Sequence, residues 1–274
     1  MISLLSLLLT QAAFAVDTKP VTNATVAASS GRIGLQADLQ YGVRFPMFEK
    51  EDSALFQGTG LKTLATASIS PSHGRVGGRL SFTPLAIMDL NLHGAYDQYF
   101  GNFQTVVGYP SADFNYGSND DIAAYVEDTG NQAVGSGHHY GAHFVLKAKA
   151  GPMIVLASTD LTHWNIGSDV QGGWFFEREK ELMLAFESDN VVDFNGLALY
   201  QYDLNEDRWI RMGSFTTWRK ALVSEDELLR TGVLFSYSGG GSVSHNVVVQ
   251  PYIKDRAYDS AFPLYAAYAF KYSK

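Results

Sequence analysis

From Ile33 to Phe45 the chain alternates without a break. Ile33, Leu35, Ala37, Leu39, Tyr41, Val43 and Phe45 are apolar, and the residues between them, Gly34, Gln36, Asp38, Gln40, Gly42 and Arg44, are not. A β-strand sends successive side chains to opposite faces, so this run has one apolar and one polar face. It is longer than the usual strand of about five or six residues. It also exceeds the roughly nine to eleven residues of a strand tilted across a bilayer.

The same grammar returns along the chain. Leu61, Thr63, Ala65, Ala67 and Ile69 alternate with polar positions in the run 59–69. Pro71-Ser72-His73-Gly74 is turn chemistry. Val76, Gly78, Leu80 and Phe82 oppose Arg75, Gly77, Arg79 and Ser81, and Thr83-Pro84 is expected to break that strand because Pro lacks a ladder donor. In Ala86–Phe100, Met88, Leu90, Leu92 and Tyr96 face one way and Asp89, Asn91, His93 and Asp97 the other. Gly101–Gly137 reads as a long connection, beyond the ~12–15 residues usual for a loop without structure. Strands resume at His138–Lys149 and 153–164, then at 192–202, 210–218, 229–237, 243–253 and 264–272. The run 174–187 is ambiguous: Glu177, Glu179 and Glu181 alternate with Arg178 and Lys180, which suits no lipid-facing strand. Residues 16–30 are small and polar and read as a flexible lead-in.

These runs predict an all-β chain of about twelve strands, with ten as the alternative. If 174–187 crosses, the long loop falls on the side of both chain ends. If it is loop, the long connection lies opposite them, and one strand must be gained or lost near the N-terminus.

Composition narrows the setting. The 274 residues contain no Cys, 15 Tyr and 26 Gly, with a net charge of −8. No disulfide or Cys-ligated metal is available, and an acidic chain does not fit a nucleic-acid partner. Residues 1–15 read as a signal peptide, with a short apolar run at Leu4–Leu9 and an Ala13-Phe14-Ala15 cleavage site before Val16. The leader carries no Lys or Arg. Elsewhere nothing offers the ~18 consecutive apolar residues of a membrane helix.

A secreted or periplasmic β-protein would also alternate. The length of the runs favours a membrane barrel. So do the aromatics near strand ends, among them Tyr41, Tyr96, Phe100, Trp164, Tyr200, Trp218 and Tyr272, and the charges on the polar face. In lipid every backbone group needs an internal partner, so the sheet must close. Over residues 31–274 the chain resembles bacterial outer-membrane β-barrels as a class: a transmembrane, antiparallel, up-and-down barrel with the long loop 101–137. The alternating strand Leu264–Tyr272, followed by Ser273-Lys274, resembles the C-terminal strand that such proteins present to the barrel-insertion machinery. The resemblance implies export to the outer membrane and contact with its lipid and lipopolysaccharide. It carries over no functional residues.

With the apolar face outward, the lumen-lining candidates are Arg75, Arg79, Asp89, His93, Asp97, His139, His143, Lys147, Lys149, Arg211, Arg219 and Arg230. They suit either a narrow passive pore for small solutes or a filled structural interior, since twelve strands lie between a packed barrel and an open channel. A lipid-modifying hydrolase is the enzymatic alternative, with Ser242-Val243-Ser244-His245-Asn246 as the stretch to check. No cofactor is expected. His139 and His143 share a face but lie about 13 Å apart along one strand, too far for one zinc. Asp113, Asn115, Gly117, Asn119, Asp120 and Asp121 suit a surface loop or a weak divalent-cation site. N-terminal sequencing of the exported protein is expected to start at Val16; a retained leader would contradict the cleavage site.

Overall fold

The computed structural model describes residues 18–30, 34–50, 52–257 and 263–274. The signal peptide 1–15 and Val16 lie outside them. Among the described residues twelve antiparallel strands close into one barrel. In chain order they are β1 (Lys19–Ser29), β2 (Leu35–Pro46), β3 (Gly60–Ile69), β4 (His73–Leu85) and β5 (Met88–Tyr99). Two short elements follow, β6 (Gly108–Tyr109) and the helix α1 (Asn119–Thr129). Next come β7 (Gly135–Ala150) and β8 (Met153–Ser168), and then the small hairpin strands β9 (Trp174–Glu177) and β10 (Leu182–Ala185). The barrel is completed by β11 (Asp189–Asp203), β12 (Trp209–Ala221), β13 (Glu227–Ser238), β14 (Val243–Lys254) and β15 (Leu264–Ser273).

Closure is made by β1, which pairs with β15 from Asn23 opposite Ser273 and with β2 from Lys19 opposite Arg44. The segment expected to be a flexible lead-in is therefore a barrel strand. Its alternation is faint because Ala24, Ala27 and Ala28 are small on both faces. Without it, β2 and β15 would leave two open edges, which lipid does not tolerate. The run 174–187 supplies no barrel strand, so one strand is gained at the start and one removed in the middle.

Gain and removal together set the sidedness. One end of the barrel, the turn end, carries Lys19, Ser273 and the connections 47–59, 86–87, 151–152, 204–208 and 239–242. The other, the loop end, carries 30–34, 70–72, 100–134, 169–188, 222–226 and 255–263. Both longest connections thus share the end opposite Lys19 and Ser273. Pro84 does not end β4. It sits where the register shifts between Phe82 and Leu85, a bulge that needs no donor from it.

The outer face is an apolar belt. Leu39 is 50% exposed, Val76 61% and Leu92 60%, and Tyr41, Tyr96, Tyr140, Tyr200 and Tyr268 stand out from the same surface. Trp164 does not join these aromatics. It points inward, is buried at the loop end and stacks on His139, ring centroids 4.7 Å apart.

In lipid vesicles Leu39→Arg is expected to cost about 2–4 kcal/mol, the price of a cation on the lipid face near the midplane. The neighbouring Gln40→Arg should cost far less. Equal losses in a urea titration of the two variants would contradict the assigned faces.

Candidate functional site

The connection between β8 and β11 does not stay outside the barrel mouth. Its two short strands form a hairpin, and β6 from the long 100–134 connection adds to it to make a three-stranded sheet. The hairpin alternates like any strand pair. Phe175, Leu182 and Leu184 point one way and pack with Tyr99, Trp164, Ile166, Val191, Leu228 and Tyr252, near the loop-end tips of the barrel strands, and with Val106 of the 100–134 connection. Phe176 and Met183 point the other way and pack with Val107, Tyr109, Tyr116 and Ile122, the last from α1. The sheet is therefore a stopper with one face on the barrel wall and one under the helix.

The tip of the hairpin, Arg178-Glu179-Lys180-Glu181, explains the ambiguous charge run. Its side chains are counter-ions for the inner wall. Arg230 donates to Glu181 at 2.6 Å, and the Tyr252 hydroxyl donates to the same carboxylate at 2.7 Å. Arg219 donates to Asp193 at 2.6 Å and to the carbonyls of Glu179 and Lys180 at 2.9 and 3.0 Å. Lys180 reaches Asp193 at 2.5 Å. Arg75 donates to Glu179 at 2.6 Å and to Asp97 at 2.5 Å, and His139 meets the other Asp97 oxygen at 2.6 Å. Glu177 accepts from the Tyr99 hydroxyl at 3.0 Å and from the Lys180 amide at 2.6 Å. Arg178 alone turns back, to Asn119 at the start of α1. Glu181 holds a left-handed backbone, φ 57°, a cost that the surrounding contacts must overcome.

Two carboxyls of the hairpin, Glu177 and Glu179, are driven apart. Burial pushes Glu179 up, but Arg75, then Lys180 and His73, outweigh it and hold it well below the usual range. Burial, reinforced by the charge on Glu179, pushes Glu177 up.

Of the residues expected to line the lumen, the stopper network contains Arg75, Asp97, His139, Arg219 and Arg230. Below it His93 reaches Asp160, Nε2 to Oδ1 3.0 Å, by crossing over the intervening strand β7. Gly141 permits that crossing. A Cβ there would sit 2.9 Å from the His93 ring nitrogen and 2.4 Å from the Leu161 carbonyl oxygen. His143 stands opposite Asp160 in the register. Nearer the turn end, Asp89 accepts from Lys147 and from the Thr83 hydroxyl, each at 2.6 Å. Arg211 donates to Gln201 at 2.9 Å and lies 3.7 Å over the Trp209 ring. Lys149 is exposed near the β7–β8 turn. Arg79 has no ion pair among the described residues, and its Nε is buried without a partner.

Asp160, Asp193, Glu179, Lys180, Glu181 and Tyr252 were not among the expected site residues. Parity marks Asp193, which alternates with Val192 and Phe194. Nothing local fixes the role of the hairpin residues, because their side-chain partners lie between 13 and 104 positions away.

Two other expectations meet local uses. Asp121 accepts from the Ser118 amide and hydroxyl, both at 2.7 Å, and Ser118 caps α1 in return. Asn115 accepts from the Gly117 amide at 3.0 Å. Two of the residues considered for a cation thus build a capping box and a turn. His245 faces outward and bonds the Tyr268 hydroxyl at 2.7 Å, beside Phe270. Ser244, its chain neighbour, points inward along β14 and so cannot serve it as a nucleophile.

No family model matches the sequence, and no curated protein matches it. Solved structures do resemble it. The β domain of the Bordetella autotransporter BrkA aligns over 93% of this chain and 98% of its own at 10% identity, with a TM-score of 0.50. The NanC porin aligns over 91% and 97% at 9% identity and a TM-score of 0.44. LpxR from Salmonella typhimurium aligns over 93% and 99% at 7% identity and 0.43. The first likeness carries the fold: this chain has the fold of a bacterial outer-membrane β-barrel.

Removing one partner of a buried ion pair strands the other. Glu181 is fully buried and the Arg230 side chain only 3% exposed, so Arg230→Ala is expected to cost about 3–5 kcal/mol in a urea titration of the refolded protein. Replacing both, Arg230→Met with Glu181→Leu, should recover most of that loss. A single variant as stable as wild type would show that the stopper does not depend on the pair.

Proposed function

We propose that this chain is an outer-membrane barrel serving as a narrow path for small polar solutes, entered from the turn end and shut at the loop end by its own hairpin. One observation carries the reading: the stopper is fastened to the wall by ion pairs, and below it the lumen is not filled, with a polar cavity under the tip and a second cavity of mixed lining towards the turn end. A barrel that was only a scaffold would fill its whole interior. Here open space continues below the seal, lined by Arg79 and Asp38 near the tip and by Leu156, Leu197 and Leu199 beside Arg211 and Ser236 towards the turn end.

The belt of exposed Leu, Val and Tyr suits a hydrocarbon surround, and the arrangement of turns and loops suits an outer-membrane barrel with its loop end outward. The strand Leu264–Ser273 would then be the segment read by the insertion machinery, and lipopolysaccharide the lipid around the loop end. Towards the turn end the inner face carries Arg44, Lys62, Lys147, Lys149, Arg211 and Lys271. Opposing them are Asp89, Asp203 and the loop residue Glu49, which pairs with Arg44 at 3.0 Å. A basic vestibule raises the local concentration of anions. The reading therefore includes a mild anion preference.

The test is conductance in planar bilayers. Wild-type protein is expected to show little or none at rest. Replacing residues 174–185 with a short Gly/Ser linker should open a small conductance that prefers anions. Both proteins should fractionate with the outer membrane and migrate differently on gels when boiled. A linker variant as silent as wild type, or one that prefers cations, would overturn the reading.

A further inference from the structure

Directly beneath the hairpin tip lies a polar cavity of about 270 Å³ between β1, β2, β3, β4 and β5. Most charges on its wall are satisfied within the protein. Arg75 is held by Asp97 and Glu179. His139 is held by Asp97, and His93 by Asp160.

Two charges remain. Arg79 has no hydrogen bond or ion pair among the described residues, and its buried Nε has no partner. Asp160 attracts it from a distance but is bonded to His93 and to the Thr162 hydroxyl. The carboxylate of Asp38 accepts one hydrogen bond, from the Gln36 amide at 2.9 Å, and pairs with no cation among the described residues. Both residues line the same cavity and they do not reach each other.

The register gives their spacing. Asp38 stands opposite Ser68, and Ser68 opposite Arg75, four residues before Arg79. Two strand spacings across and four residues along put the Cα atoms roughly 16 Å apart. An extended Arg and a short Asp narrow that gap without closing it.

A ligand of one sign fits this wall poorly. An anion at Arg79 would also face Asp38 and Glu179, and a cation at Asp38 would face Arg79 across the cavity. A ligand with opposite charges at its two ends satisfies both, and it supplies the partners that the buried guanidinium lacks. We propose that this cavity binds a short zwitterionic peptide of dipeptide size, its amino terminus at Asp38 and its carboxylate at Arg79. In a free amino acid the two charges are adjacent and do not span the gap. Gln40 and Thr66, on the same wall, offer hydrogen-bonding groups to the peptide unit between. The volume, just under the ~300–1,000 Å³ of typical ligand pockets, keeps the ligand small. The inference rests on the reading of the lumen as a solute path and names the solute.

The experiment is calorimetry on the full chain refolded in detergent micelles. The probes are glycylglycine, N-acetylglycylglycine, which keeps only the carboxylate, and glycylglycinamide, which keeps only the ammonium. Glycylglycine is expected to bind saturably, and each singly charged analogue about tenfold more weakly or worse. Arg79→Gln and Asp38→Asn should each reduce glycylglycine binding by a similar factor, Arg79→Lys should restore part of it, and Arg208→Gln, on the exposed turn between β11 and β12, should change nothing. Because Arg79 bonds nothing in the empty barrel, Arg79→Gln should melt no lower than wild type. Binding of N-acetylglycylglycine as tight as glycylglycine would make this an anion site. Binding of no probe, or binding indifferent to Arg79 and Asp38, would remove the site. A linker variant that conducts without binding glycylglycine refutes this inference alone. A chain that binds it but never conducts refutes the proposed path alone.

Discussion

A sheet closed on itself leaves no edge, and that constraint organises this molecule. Once every strand must have two neighbours, β1 has to form although its own sequence argues weakly for it. Once the barrel is closed, each strand has an inside and an outside, and the alternation along Leu35–Pro46 or Met88–Tyr99 sorts apolar side chains outward and charged ones inward. Inward charges then lie in a confined space where an unpaired ion is costly. The hairpin tip brings Glu179, Lys180 and Glu181 to meet them. Closure thus creates the need that the stopper fills.

The stopper is held by two different kinds of force. The apolar contacts of Phe175, Leu182 and Leu184 with the barrel mouth are non-directional and fix its depth. The ion pairs fix its orientation, because Arg219 and Arg230 hold it from the neighbouring strands β12 and β13 while Arg75 holds it from β4 across the lumen. Ion pairs of this kind add little net stability over an apolar filling but strongly disfavour any arrangement in which a partner is missing. A loop packed by apolar contacts alone would settle in many positions. This one has a single seat.

How much of this is legible in the sequence depends on how local the signal is. Strands such as Leu35–Pro46 announce themselves because large apolar residues alternate with polar ones. The inner and outer faces of the wall residues follow from the same parity. The strand Lys19–Ser29 is nearly silent: its Ala and Thr side chains give alternation little amplitude, and only pairing with distant β15 makes it a strand. The charged run 177–181 is visible as an anomaly, yet its meaning depends on Arg75 and Arg230, far away in the chain. Pro84 misleads for a related reason, since the bulge that accommodates it is a property of the β4–β5 pair rather than of β4. Asp121 and Asn115 look like metal ligands by composition and turn out to serve the backbone beside them.

The long reach of the hairpin contacts has a consequence for assembly. Glu179 is joined to Arg75 across 104 residues, Glu181 to Arg230 across 49 and to Tyr252 across 71. Those partners come from strands made both before and after the hairpin, so its seat exists only when the two halves of the sheet face each other. Contacts of such sequence separation form late, because their loop-closure entropy is met only after nearer pairings are in place. The seam joins residues farther apart still, Asn23 and Ser273, so by this measure the closed wall and the seated hairpin are both late products of assembly. Each completes the other: the wall supplies the arginines, and the hairpin supplies their counter-ions.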